Sequence, residues 1–156
     1  MFELLVFLHL VAVVVGIGTV FLNGVYANIS MKRQGAEGLA ISEANEKVSG
    51  VAEKFIYAIF VFGILAVLAS DVYDFSQVWI WLSIVLYVVA VGISHSIVIP
   101  GHRRLNELAR IMGSGQGGPA EGQEMAALGK RMAPAGMALN LLAVVLIGLM
   151  VWKPGF

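Results

Sequence analysis

Four apolar stretches, separated by two long polar segments and one short acidic turn, organise the chain. The first runs from about Phe2 to Tyr26, broken only by Glu3, His9, Thr19 and Asn23. The others cover residues 55–70, 78–100 and 134–152. A helix rises ~1.5 Å per residue, so about 20 apolar residues cross the ~30 Å hydrocarbon core of a bilayer. The pattern therefore predicts an all-α membrane protein, a bundle of four transmembrane helices in one domain spanning residues 1–156. Trp79 and Trp81 open the third span and Trp152 closes the fourth, where an aromatic belt is expected. Pro134 is expected in the first turn of the fourth helix, where a missing N–H costs little.

The polar segments, 28–54 and 101–133, carry helical patterns of their own. A helix is expected from Ser42 to Phe55, with Ser42 near its start. Arg103 to Met112 reads as an extension of the third helix, with Leu105, Leu108 and Ile111 at three-residue spacing, and Gly113 to Gly122 (GSGQGGPAEG) as a flexible linker. These extensions either lengthen the bundle beyond the membrane or offer a docking surface.

Basic residues set the expected orientation. Lys32, Arg33, Lys47 and Lys54 fall in the first polar segment, and Arg103, Arg104, Arg110, Lys130 and Arg131 in the second; the acidic turn holds Asp71 and Asp74. By the positive-inside bias both long segments are cytoplasmic and both termini lie outside, in the cell (inner) membrane. Lys153 alone runs against this. The apolar N-terminal run is read as a retained span rather than a secretory signal, because Glu3 stands where a basic residue would be expected.

A shift of 78 residues lays His9 to Val13 on Tyr87 to Val91, and Glu43 and Glu46 on Glu121 and Glu124. Two repeated helical hairpins are therefore a second architectural expectation.

Composition agrees with lipid as the solvent: 59% of residues are hydrophobic, 13% are charged and the mean hydropathy is +0.87. A soluble domain is usually about 25% charged. The net charge is zero, so nothing points to nucleic acid. Without cysteine, thiolate catalysis, disulfides and thiolate-held metals are excluded.

Candidate chemistry is confined to the polar residues within the spans, which are costly there and often functional: His9, Asn23, Tyr57, Tyr87, His95 and Asn140, with His102 just beyond Pro100. Neutral imidazole is a ligand for haem iron. Counting residues from the outer boundary puts His9 about 10 Å deep and His95 about 25 Å deep. The two cannot be the axial ligands of one haem. Two separate levels result: His9 with Tyr87, whose hydroxyl is in reach of the imidazole, and His95 with Met137, a His/Met pair. The plainer readings are a buried His9 bonded to Tyr87 or to a backbone carbonyl, a polar cluster of His95 and His102 with Arg103 and Arg104, and Met137 and Met150 as apolar filler. Gly16, Gly18 and Gly24 are expected to let helices approach closely, and Asp71 and Asp74 to be solvated.

The opening Phe7-Leu8-His9-Leu10-Val11-Ala12, an apolar N-terminal helix with a histidine near its ninth residue, resembles the integral membrane proteins grouped as DUF2269. That group shares a distant likeness with HemJ-type protoporphyrinogen oxidases and CopD-type copper-resistance proteins. The resemblance implies four spans and a haem ligand role for His9. The chain departs from it after the histidine, where Val14, Val15 and Gly16 replace the usual tryptophan-glycine pair, and it lacks a lysine deep in a later span. What carries over directly is the layout and the histidine, while the departures bear on porphyrinogen oxidation. Two functional expectations remain: a non-catalytic subunit or scaffold that associates with itself or a larger complex, and a b-type haem or porphyrin-binding protein. A transporter ranks below both, since no span is broken or lined with polar residues.

Overall fold

The computed structural model describes residues 1–33 and 35–155. Its helices are α1 (Phe2–Lys32), α2 (Ala36–Leu68), α3 (Val78–Ile93), α4 (Ile99–Gly113) and α5 (Pro119–Trp152), with a π-helical turn at Ser94–Val98 between α3 and α4. That turn keeps α3 and α4 in one rod, Val78–Gly113, so among the described residues four rods are long and apolar enough to cross a membrane. Among the described residues there is no strand.

The first rods form a tight antiparallel hairpin. Gly35, at φ 71° and ψ −143°, makes the reversal in a region that residues with a Cβ avoid. Gly38 then packs so closely that a Cβ there would run into the carbonyl oxygens of Arg33 and Ser30. The Ser30 hydroxyl, in turn, donates to the Gly38 carbonyl at 2.7 Å. Further along the seam most of the buried residues are small, Ala12, Gly16, Ala52 and Ala66, with Asn45 and Ile59 the larger ones. In lipid there is no hydrophobic drive between helices, so close backbone approach over small residues supplies the attraction. Gly16 fulfils the expectation, since a Cβ there would lie 3.0 Å from Ile56 Cδ1 and 3.3 Å from the Ile56 backbone nitrogen; Gly18 and Gly24 face open space instead.

The second hairpin is α3–α4 against α5. Pro100 has no N–H to donate, and just before it the helix widens so that the Ile99 N–H reaches back to the Ser94 carbonyl. Gly101, buried in α4, leaves the space that the Met132 thioether of α5 fills.

The helices run well past the apolar stretches. α2 begins at Ala36 rather than near Ser42, and the connection before α5 is only residues 114–118 rather than the whole of 113–122. Residues 119–133 are helical because Pro119 sits at the first position, the Gly118 N–H donates to the Glu121 carboxylate at 2.8 Å, and Ala, Met, Glu and Gln follow. Pro134 is consequently inside α5, not at its start. Its ring leaves the Lys130 carbonyl without a helical donor.

One end gathers both chain termini and the acidic turn. Phe2 packs on Tyr73, Tyr73 meets Trp79 edge-on, and Lys153 Nζ donates to the Tyr73 hydroxyl at 2.6 Å. Within the turn the Ser76 N–H donates to Asp74 Oδ1 at 2.7 Å, and hydrogen bonds from Ser76 hold the Asp74 carboxyl below its ordinary range. The other, basic end is tied by ion pairs: Arg110 to Glu43 at 2.8 Å, and Arg104 to Glu124 at 2.7 Å, which draws the Glu124 carboxyl down. Beneath them Asn106, 3% exposed, accepts from the Ser42 hydroxyl and donates to the Glu46 carboxylate, joining α4 to α2.

Candidate ligand cavity

The hairpins pack well internally but leave space between them. α2 and α3 are held apart, and a cavity of about 620 Å³ runs between them from Phe2 and Tyr73 at the turn end to Asn45 and Arg103 at the basic end. That volume is in the range of small-molecule and cofactor sites, ~300–1,000 Å³. Its middle is walled by apolar side chains, among them Ile59, Phe60, Ile64, Ile84 and Leu146, with the Phe60 and Tyr87 rings stacked at 5.1 Å.

His9 lies on this wall. Its Nδ1 is 2.8 Å from the Ile59 carbonyl of α2, which can only accept, so Nδ1 carries the hydrogen. Nε2 is thereby left with its lone pair and makes no hydrogen bond among the described residues. The ring fits because the neighbouring residue is Gly63, whose missing Cβ would lie 3.1 Å from His9 Cε1 and 3.2 Å from Nδ1. A carbonyl that fixes the tautomer and the ring plane is the usual outer support of a metal-ligating histidine.

Tyr87 does not bond His9. Its hydroxyl donates to the Ile56 carbonyl at 3.1 Å, one turn of α2 away from the Ile59 carbonyl that His9 uses. The two residues that the 78-residue shift superposes thus approach α2 from α1 and from α3, each satisfied by a backbone oxygen.

His95 and Met137 are not brought together. Met137 is 67% exposed on α5 and is not part of the cavity wall. His95, in the π turn, sits 3.0 Å from the Val91 carbonyl through Nδ1, and its Nε2 is 2.7 Å from the Tyr57 hydroxyl and 3.2 Å from Glu53. Tyr57 also donates to Glu53 at 2.7 Å. This cluster separates the cavity from an open groove lined by Arg103, Arg104 and Glu107. Both of the His95 nitrogens are engaged, unlike those of His9.

Of the polar residues at the basic end of the cavity, sequence reasoning singled out Asn23, His102 and Arg103 but passed over Asn45, Glu46 and Ser49 as site residues. Asn23 accepts from the Ser49 hydroxyl at 3.0 Å, and Asn45, Glu46, His102 and Arg103 line the same space. The available signal was asparagine within helical runs, a poor helix former that needs another reason to be there. Among the described residues no group of three or more histidine, aspartate or glutamate side chains could hold a metal ion on its own.

Four lipid-length helices, an apolar exterior and a cavity between two hairpins define a polytopic integral membrane protein. The family model described as predicted integral membrane protein (DUF2269) matches residues 3–154, and the chain belongs to that family. No curated protein and no solved structure matches the chain.

Proposed function

We propose that the chain is a b-type haem or porphyrin-binding membrane protein in which His9 is the protein ligand. The observation that carries this reading is the His9 imidazole, pinned through Nδ1 to the Ile59 carbonyl with Nε2 unused at the wall of a 620 Å³ cavity. The residues suit a flat apolar macrocycle: His9 offers nitrogen, Ile59 orients it, Gly63 leaves room for the ring, and Phe60, Ile64 and Leu146 supply apolar walls. Haem held there would supply one-electron chemistry or gas binding. His95 plays no part as a second ligand, since it lies at another level with both nitrogens engaged.

The test is the visible spectrum of the detergent-purified chain after expression with ample haem. A Soret band is expected, and His9→Ala should lower haem affinity by at least about tenfold, ~1.4 kcal/mol. An unchanged band in His9→Ala would remove the reading. The alternative, a non-catalytic subunit or scaffold of a membrane assembly, needs no free imidazole nitrogen and is favoured if no band forms in either protein.

The expected orientation, both termini outside and the basic end cytoplasmic in the inner membrane, belongs to the same proposal and is supported by the gathering of nine basic residues at one end. The chain lacks cysteine, so single cysteines report cleanly. On intact cells an impermeant thiol reagent should label Ser76→Cys, and should reach Gly115→Cys only after lysis; the reverse pattern inverts the topology.

A further inference from the structure

The basic end of the cavity is lined by polar groups that the chain leaves wholly or partly without partners, with Arg103 exposed at its rim. Asn45 is 6% exposed, lines the cavity and makes no side-chain hydrogen bond, with Oδ1 fully buried and unpartnered. An amide buried that way normally has a partner, since leaving it without one costs about 1–3 kcal/mol. Arg103 lines both the cavity and the adjoining groove and has no acceptor among the described residues. His102 lines the same space without a hydrogen bond, and the Glu46 carboxylate, bonded to Asn106 through Oε2, also lines it.

Register places these groups together. Asn106 bonds Ser42 and Glu46, so Arg103, three residues earlier on the antiparallel rod, faces α2 within about one turn of Asn45. They are far from His9, because Asn45 precedes Ile59 by fourteen residues, about 21 Å along α2. Arg103 stands three residues beyond the apolar stretch 78–100, where polar sequence begins, the depth of lipid head groups.

We infer that this end of the cavity binds the head group of a phospholipid bearing a primary amine, of the phosphatidylethanolamine type. The phosphate pairs with Arg103 through charge-assisted hydrogen bonds, and the ammonium donates to Asn45 Oδ1 and Glu46. The acyl chains pass out between α2 and α3, which stand apart, into the surrounding lipid and not into the apolar middle of the cavity beside His9. The zwitterionic head matches a site with a cation on one side and acceptors on the other, whereas a free anion would leave Asn45 and Glu46 unanswered. This inference does not rest on what His9 holds.

Native mass spectrometry of the full chain in detergent, titrated with phosphatidylethanolamine, phosphatidylcholine or phosphatidylglycerol of identical acyl chains, tests it. Phosphatidylcholine keeps the phosphate and the charge but has no N–H, and phosphatidylglycerol has donors but no cation. One phosphatidylethanolamine per chain is expected, held about tenfold more tightly than phosphatidylcholine and ahead of phosphatidylglycerol, with Asn45→Val losing most of that preference and Arg103→Gln weakening the binding of all three lipids about tenfold. Arg33→Gln, which removes an exposed ion pair with Glu37, should bind as the parent does. Inorganic phosphate should not compete. Equal binding of the ethanolamine and choline lipids, preference for phosphatidylglycerol, displacement by phosphate, or an unaltered Arg103→Gln would each overturn the inference. If Asn45→Val does not fold, the lipid comparison and Arg103→Gln still decide. The haem reading fails separately, because its band is read by absorbance and Arg103→Gln leaves it in place.

Discussion

Gly38→Ala should unfold the first hairpin at its turn, lowering the stability of the purified protein by about 3 kcal/mol or more, the upper end of the overpacking range. The added methyl meets the Arg33 and Ser30 carbonyl oxygens, which are backbone and cannot rotate away as a side chain would. It also pushes on the hydrogen bond from the Ser30 hydroxyl to the Gly38 carbonyl. Gly50→Ala, where nothing lies within 4 Å, is the matched control and should be neutral or slightly stabilising, as alanine is the better helix former. Thermal unfolding followed by the exposure of engineered cysteines gives the comparison. Equal melting of the two variants would mean that the α1–α2 turn is not packed as described.

The second large effect concerns His9 without altering it. If the chain holds haem as proposed, Gly63→Leu should abolish its retention as fully as His9→Ala, because the new side chain occupies the place of the imidazole and separates Nδ1 from the Ile59 carbonyl. Gly63→Ala should lie between, since its methyl needs the ring to give by only a few tenths of an ångström. Gly92→Leu, facing open space on α3, controls for bulk. If Gly63→Leu binds haem like the parent while Gly92→Leu does too, the ring is not held where the hydrogen bond places it.

Much of this architecture is legible in the sequence for a simple physical reason: in lipid each backbone polar group must be satisfied within its own segment, so a long apolar run is a helix. Phe2 to Tyr26 could be read off directly. What hydropathy hides is helix that continues outside the lipid. The segment from Ala36 to Gly50 is polar and glycine-bearing, and a start at Ser42 looked reasonable on capping grounds; the real start is set by Gly35 and by the packing of Gly38, which are tertiary facts. Pro134 misled for the opposite reason, since proline favours helix starts but is tolerated inside a membrane helix.

The site was legible in its residue and not in its geometry. His9 stood out as an ionisable group in a span, but its partner is a backbone carbonyl fifty residues away, which no side-chain pattern announces. Tyr87 was placed at the right depth by counting, yet its hydroxyl found a nearer oxygen on α2. Depth arithmetic did separate His9 from His95, and the hydrogen bonds of His95 to Tyr57, Glu53 and Val91 account for that histidine without any ligand. Glu53 belongs to that cluster, accepting from the Tyr57 hydroxyl. Asn45 and Arg103 were invisible as a pair because the residues joining them, Ser42, Glu46 and Asn106, meet only when α4 packs on α2.

The central claim is that one imidazole nitrogen, His9 Nε2, stands free and ready at the wall of the interhelical cavity. Nitrogen-15 spectra of the protein labelled at its three histidines, recorded in lipid before and after equimolar zinc protoporphyrin, test it most directly. The account predicts that the His9 ring begins with its hydrogen on Nδ1, and that on adding the porphyrin its Nε2 resonance moves while His95 and His102 stay in place. A His9 signal that does not move, or a shift confined to His95 or His102, would contradict it.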